Sequence, residues 1–282
     1  MQHIEFIHKD HFEYRYFRKF ATKTLSLYID FCWETDFDSL LQEHPDGFTD
    51  VLFPNIGYTY IINLGTPFKM QLEQKIFDVK TDGFIPRHEY ITAHHSVGNK
   101  LFGIKFKVCP IVFEKDIDFS EYKQHVYPLA YLIDRKVVEK IINAHTFQQR
   151  IDIVFQHYNA LIDLHAGSLK YVTTVTEIIK KCIEKNEYDI SIEKAAEDCK
   201  ISKRTLQRYF EATTSFSSKQ ALQNLRIRKA VSHLTKSPVD FGYKSYGYYD
   251  YSHFCKHVKQ FLSPHYYQIF QSFYGRKMID GR

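Results

Sequence analysis

The hydrophobic period of this chain changes once, from two residues to about 3.6, and that change limits what it can fold into. Leu101 to Val108 shows the first period, with Phe102, Ile104, Phe106 and Val108 on one face and Lys105 and Lys107 on the other. Val51-Leu52-Phe53 and Tyr58 to Leu64 are shorter β-rich runs. Turn signals at Pro45-Asp46-Gly47, Gly65-Thr66-Pro67, Asp82-Gly83 and Gly98-Asn99 separate them, which predicts a small antiparallel sheet or barrel. From about residue 121 the second period takes over. Ile151, Phe155, Tyr158 and Ile162 fall at helical spacing, and Tyr171, Val175, Ile178 and Cys182 repeat it. Ala166-Gly167-Ser168 interrupts two helices, and Asn186 to Asp189 reads as a junction. The expected fold class is α+β, a β-rich part followed by helices.

Charge follows the same division. From residue 187 onward there are 16 Lys and Arg against 9 Asp and Glu, a balance of +7, which leaves −2 for residues 1–186 and a net +5. A basic C-terminal third favours a polyanionic partner, nucleic acid before an anionic membrane surface. No apolar run approaches the ~18 residues that span a bilayer, and Met1-Gln2-His3-Ile4-Glu5 lacks the basic flank of a secretory signal. Cys32, Cys109, Cys182, Cys199 and Cys255 are an odd, scattered set, which suits free thiols in a reducing compartment. These features predict a cytoplasmic protein with no membrane partner.

The basic third resolves into helices through its caps. Ser191 is placed as an N-cap, followed by Ile192, Ala195, Ala196 and Cys199 on one face. Lys200-Ile201 makes a short turn to a second N-cap, Ser202, after which Leu206, Tyr209 and Phe210 turn inward. Lys203, Arg204, Gln207 and Arg208 are left outside. Arg bonds guanine bidentately and Gln bonds adenine, so this face suits a major groove. A longer helix runs through Leu222, Leu225, Ile227, Ala230, Val231 and Leu234. Ser237-Pro238 with Asp240 then predicts a new helix start, and Gly247 a turn. Tyr251, Phe254, Val258 and Phe261 form the stripe of a further helix, with Ser252, His253, Lys256 and Lys259 outside. Ser263-Pro264 opens a last helix through Phe270. The pattern is two helix-turn-helix motifs joined by a linker helix.

These residues resemble the AraC/XylS-type transcription regulators. Ile190-Ser191-Ile192-Glu193 with Ala195-Ala196 and Ile201 to Phe210 is similar to the family's first helix-turn-helix. Leu225 to Ala230 is similar to its linker helix, and Gly247 to Phe254 with Ser263-Pro264 to its second reading helix and closing segment. The resemblance covers about residues 188–270. More faintly, Pro45 to Phe53 and Leu101 to Phe106 resemble a cupin-like sensing domain. Two departures stand out: Thr213-Thr214-Ser215-Phe216 replaces the usual glycine after the first reading helix, and Gly242-Tyr243 replaces an apolar-Ala pair. A glycine inside that supporting helix, and a second reading face without arginine, predict a sharply read first half-site and a degenerate second one.

The resemblance implies that Lys203, Arg204, Gln207 and Arg208 enter one major groove of double-stranded DNA, and Tyr251, Ser252, His253 and Lys256 the next, ~34 Å away. Arg226, Arg228 and Lys259 are then phosphate contacts or structural ion pairs. Residues 1–120 are expected to form the cupin-like sensing domain, 121–186 a helical linker or dimerisation segment, 187–274 the DNA-binding domain and 275–282 a tail. The sensing domain is expected to bind a small-molecule effector or to form a homodimer. His88, Glu89, His94 and His95 are the candidates for a cupin metal, but their order does not reproduce the ligand motif, so no metal or cofactor is expected. His253 and His257 are i, i+4, yet Phe254 stands where a metalloprotease needs its Glu. With no nucleophile elbow, Walker loop or dinucleotide turn, the chain reads as no enzyme. The rival reading is a cupin-type metal enzyme with a basic appendage.

Overall fold

Residues 11, 14–52, 55–85, 91–109, 125–165, 167, 169–185, 187, 188 and 190–275 are described by a computed structural model of the chain. The strands are β1 (Phe17–Phe20), β2 (Ile29–Asp36), β3 (Phe48–Leu52), β4 (Thr59–Asn63), β5 (Phe68–Leu72), β6 (Lys75–Val79), β7 (Asp82–Ile85), β8 (Ile91–His95) and β9 (Lys100–Phe106). They form a five-stranded sheet in the order β1-β2-β9-β4-β7 and a four-stranded sheet in the order β3-β8-β5-β6. Neighbouring strands run antiparallel. The two sheets close on one core, in which Trp33, Ile61 and Leu101 of the first meet Phe48, Met70 and Ala93 of the second.

The five-stranded sheet is covered on its other face as well, by α2 (Arg135–Asn143), α3 (Phe147–Leu164) and the start of α4 (Lys170–Lys185). Phe102, Ile104 and Phe106 pack there with Ile151, Val154 and Tyr158, and the Phe106 and Tyr158 rings meet edge-on at 5.3 Å. Burying such a side chain contributes about 1.5–3 kcal/mol. This double cover corrects the reading of β9. Alternation put Lys105 on a wet face, but β9 lies between β2 and β4 with both faces packed, and Lys105 is 2% exposed. Lys107 is half-buried and donates to the Ser26 carbonyl at 2.7 Å. Gly103 allows the close approach on the inner face, because a Cβ there would lie 2.1 Å from the Trp33 indole. Arg150 of α3 pairs with Glu34 of β2 at 2.9 Å, both nearly buried, and fixes the helix on the sheet.

The remaining helices are the short α1 (Asp38–Glu43), then α5 (Ile192–Asp198), α6 (Lys203–Thr214), α7 (Ser218–Lys236), α8 (Tyr251–Lys259) and α9 (Pro264–Tyr274). A separate core gathers Leu206 and Phe210 of α6, Leu222 to Leu234 of α7, Phe254 of α8 and Phe270 of α9. Its second half is built differently from the sequence expectation. Ser237 caps the end of α7 instead of starting a helix, and a 3-10 turn, Tyr243–Tyr246, is all that precedes α8. Gly242 is the N-cap of that turn, so it carries no helix-interior cost. The capping signal misled because Ser-Pro also suits the residues just past a helix end.

α4 is shared between the two parts of the chain. Val172, with Leu169 just before the helix, belongs to the core under the sheet, whereas Val175, Ile178, Ile179 and Cys182 belong to the C-terminal core. Phe53, His88, Glu89 and the expected helix start at 121 lie outside the described residues. After β9 the first described helical element is a 3-10 turn at Leu129–Tyr131.

Candidate nucleic-acid interface

The first motif is set by its caps. The Ser191 side chain accepts from the Lys194 N–H, α5 ends at its C-cap Cys199, and Lys200, at a φ of 54°, then turns the chain sharply. Ile201 N–H donates to the Ala196 carbonyl at 3.0 Å, and the Ser202 hydroxyl accepts from the Thr205 N–H at 3.1 Å to start α6. Ala195 and Ala196 are the small residues that let α6 come close, and Leu206 and Phe210 are fully buried.

The four outward candidates on α6 differ. Arg204 and Arg208 are exposed, and no hydrogen bond or ion pair involves either among the described residues. Lys203 is exposed but paired with Glu193 of α5, and that ammonium holds the Glu193 carboxyl below its usual value. Gln207 is half-buried. Its Nε2 donates to Glu211 at 2.7 Å, and its Oε1 accepts from the Ser218 hydroxyl at 2.7 Å at the start of α7. In this conformation Gln207 therefore ties one helix to the next. α6 ends at Ser215, a non-glycine residue at φ 59° where the family resemblance led to a glycine. Ser215 Oγ lies 2.7 Å from the Tyr58 hydroxyl of the sheet, and the Cys109 N–H donates to the Thr213 carbonyl at 2.7 Å. The C-terminus of α6 is thus fastened to the N-terminal part.

On α8, Ser252, His253, Lys256 and Lys259 are exposed, with Lys259 5.9 Å from the Tyr267 ring centroid. Tyr251 is half-buried with its hydroxyl directed at the Tyr274 carbonyl at 3.4 Å, and burial pushes its phenol well up. Gly247, at φ 73°, turns the chain into α8, and Asp250 caps the helix by accepting from the His253 N–H at 2.6 Å. Tyr248 is buried, donates to or accepts from His257 Nδ1 at 2.7 Å, and lies 4.8 Å under the Arg226 guanidinium. Burial, Arg226 and His253 pull His257 down to about 4. Arg226 and Arg228 are 8% and 7% exposed, so neither cation stands on the outer surface beside the exposed residues of α8.

A cleft of about 530 Å³ separates the sheet from the C-terminal helices. Ile56, Phe106, Ile179 and Leu225 give it apolar walls, and Lys105, Arg228 and Lys229 line it with cations. Burial lowers the Lys229 ammonium while Asp30 opposes that effect. No sequence signal pointed to this cleft, because its residues come from distant segments. Between the two sheets, His95 is stacked against Phe48 and Phe68 and tilted against Phe37, with Nδ1 2.7 Å from Asn99 Oδ1. His94 Nδ1 lies 3.1 Å from Thr49 Oγ1. Among the described residues no three His, Cys, Asp or Glu side chains converge as metal ligands, and no helix is long and apolar enough to cross a membrane.

No protein-family model and no curated protein matches the chain. Solved structures do. A 1.65 Å structure of ToxT from Vibrio cholerae is 10% identical, with a TM-score of 0.42, over 79% of this chain and 98% of that one. ToxT from Vibrio cholerae O395 bound to (E)-4-(8-methylnaphthalen-1-yl)but-3-enoic acid has a TM-score of 0.43 at 10% identity, over 79% and 94%. The AraC-like transcriptional activator CuxR is also 10% identical, with a TM-score of 0.21, over 84% and 93%. The likeness is loose.

Proposed function

We propose that this chain is a sequence-specific, DNA-binding transcription regulator of the AraC/XylS type. The observation that carries the reading is the pair α6 and α8. Each follows a short helical element and a tight turn, each exposes a polar, cationic face, and the two flank one buried helix, α7. α7 has 19 residues and is therefore about 28 Å long. That length suits two helices meeting successive major grooves, whose repeat is ~34 Å. Arg204 and Arg208 are the base readers of α6, with Lys203 exchanging Glu193 for a phosphate. Ser252, His253 and Lys256 face the adjoining half-site. With no arginine among them, and a 3-10 turn as support, that half-site is the more degenerate.

The cleft is the effector site in this reading. Apolar walls beside lysine and arginine suit an anion with an apolar body, and the fastening of α6 through Ser215 and Thr213 links the cleft's sheet to a reading helix. ToxT structures from Vibrio cholerae include one with a bound unsaturated fatty acid, a ligand of that chemical kind.

Selecting bound sites from random DNA with the full chain tests the function. The expected result is one enriched motif, bound with log affinity falling linearly against log salt by about 0.9 per phosphate neutralised. Arg204→Ala and Arg208→Ala should each cost about 1–3 kcal/mol and relax choice at separate base pairs. Recovery of no motif, or binding independent of salt, refutes the reading.

A further inference from the structure

We infer that Tyr249 is a phosphate anchor for the second reading helix, its phenolic hydroxyl donating to a DNA backbone oxygen beside the half-site that α8 meets. This rests on the DNA-binding reading above and adds to it a neutral contact that the cationic faces do not include. Tyr249 is 86% exposed, above Tyr14 at 73% and Tyr131 at 63%. A lone exposed aromatic would need no explanation; the surroundings of this one supply the argument.

The other phenols of the same stretch are engaged inside the domain. Tyr246 bonds His233, Tyr248 bonds His257, and the Tyr251 hydroxyl reaches the Tyr274 carbonyl. Tyr249 has no hydrogen bond or ring contact among the described residues. Both of its neighbours are held: Tyr248 is 2% exposed beneath Arg226, and Asp250 is committed to capping the His253 N–H. The side chain is therefore presented from a fixed backbone, which limits the ordering cost of a contact. Engagement of the Asp250 carboxylate in the cap also blunts its repulsion of a phosphate. Tyr249 immediately precedes the N-cap Asp250, so it stands at the N-terminal end of α8, the helix whose exposed face carries Ser252, His253 and Lys256. Tyrosine hydroxyls at such positions bond phosphate and fix register without choosing sequence.

A neutral donor has a signature that a cation lacks. It adds affinity without releasing a counterion, so its loss shifts the salt plot without changing the slope. The test titrates the full-length chain and its Tyr249→Phe, Tyr249→Ala and Lys256→Ala variants against the selected DNA at several salt concentrations, with thermal melts of each. Tyr249→Phe should weaken binding about three- to tenfold at every salt, equally for all bound sequences, with an unaltered slope and melting temperature. Tyr249→Ala should weaken it at least as much, and Lys256→Ala should reduce the slope by about one. Full affinity in both Tyr249 variants, a loss confined to one base pair, or a lowered melting temperature in Tyr249→Phe would each overturn the assignment. Failure of the wild-type chain to select any DNA refutes the broader reading and this contact with it.

Discussion

Replacing Gln207 by Ala separates a side chain that reads bases from one that holds a motif together. Gln207 Oε1 accepts from the Ser218 hydroxyl at 2.7 Å and from the Ser218 N–H at 3.3 Å, and Ser218 is 2% exposed. Truncation leaves that hydroxyl without its acceptor in a place water hardly reaches, at a cost of about 1–3 kcal/mol. The bond to Glu211 spans i, i+4 on an exposed face and adds about 0.2–0.5 kcal/mol. Ala's better helix propensity returns a few tenths, so the net destabilisation expected is about 1–3 kcal/mol. Urea unfolding followed by circular dichroism should show a lower midpoint at an unchanged m-value. Because Ser218→Ala removes the hydroxyl that needs the acceptor, the double variant should lose less than the sum of the two singles, with a coupling of about 1 kcal/mol. DNA affinity should fall alike for all sequences. An unchanged midpoint together with altered preference at one base pair would refute this reasoning and make Gln207 a base reader.

Gly103→Ala should destabilise the N-terminal part by about 1–3 kcal/mol, because the new methyl meets the buried Trp33 indole; a melting temperature and near-ultraviolet dichroism equal to wild type would contradict this. His257 gives a pH dependence of known sign. Its folded value of about 4 lies below the ordinary 6.5, so the unfolded chain takes up the proton first as pH falls. Its contribution is complete above about pH 6.5 and declines towards pH 4, and His257→Gln should flatten that stretch of the plot of urea midpoint against pH; an unaltered slope would show that other groups set it.

Much of the candidate interface was legible locally. Ser191, Ser202 and Ser263 cap the helices they were expected to cap, since a cap is a bond between a side chain and a backbone N–H two or three residues away. The inward stripe of α6 and the outward Arg204 and Arg208 follow from 3.6 residues per turn in the same way. Ser237-Pro238 failed by the same measure. Its local signal is shared by helix starts and helix ends, and the packing of Phe241 and Tyr246 against the C-terminal core accompanies the turn that forms there.

Sequence alone therefore determined the α+β division, the first helix-turn-helix, the second reading helix and the residue types on their outer faces, all of which depend on neighbours within about one or two turns. Tertiary structure decided the rest. Lys105 alternates with apolar residues as an exposed lysine would, and only its place on a strand packed on both faces buries it. Gln207 and Arg226 carry groups suited to DNA, and only α7 and Tyr248 claim them for the fold. The cleft between sheet and helices exists only where Lys105, Ile179 and Lys229 meet. A side chain's chemistry is written in the chain, but whether water, protein or a ligand receives it is settled by contacts between residues far apart in sequence, which no local period encodes.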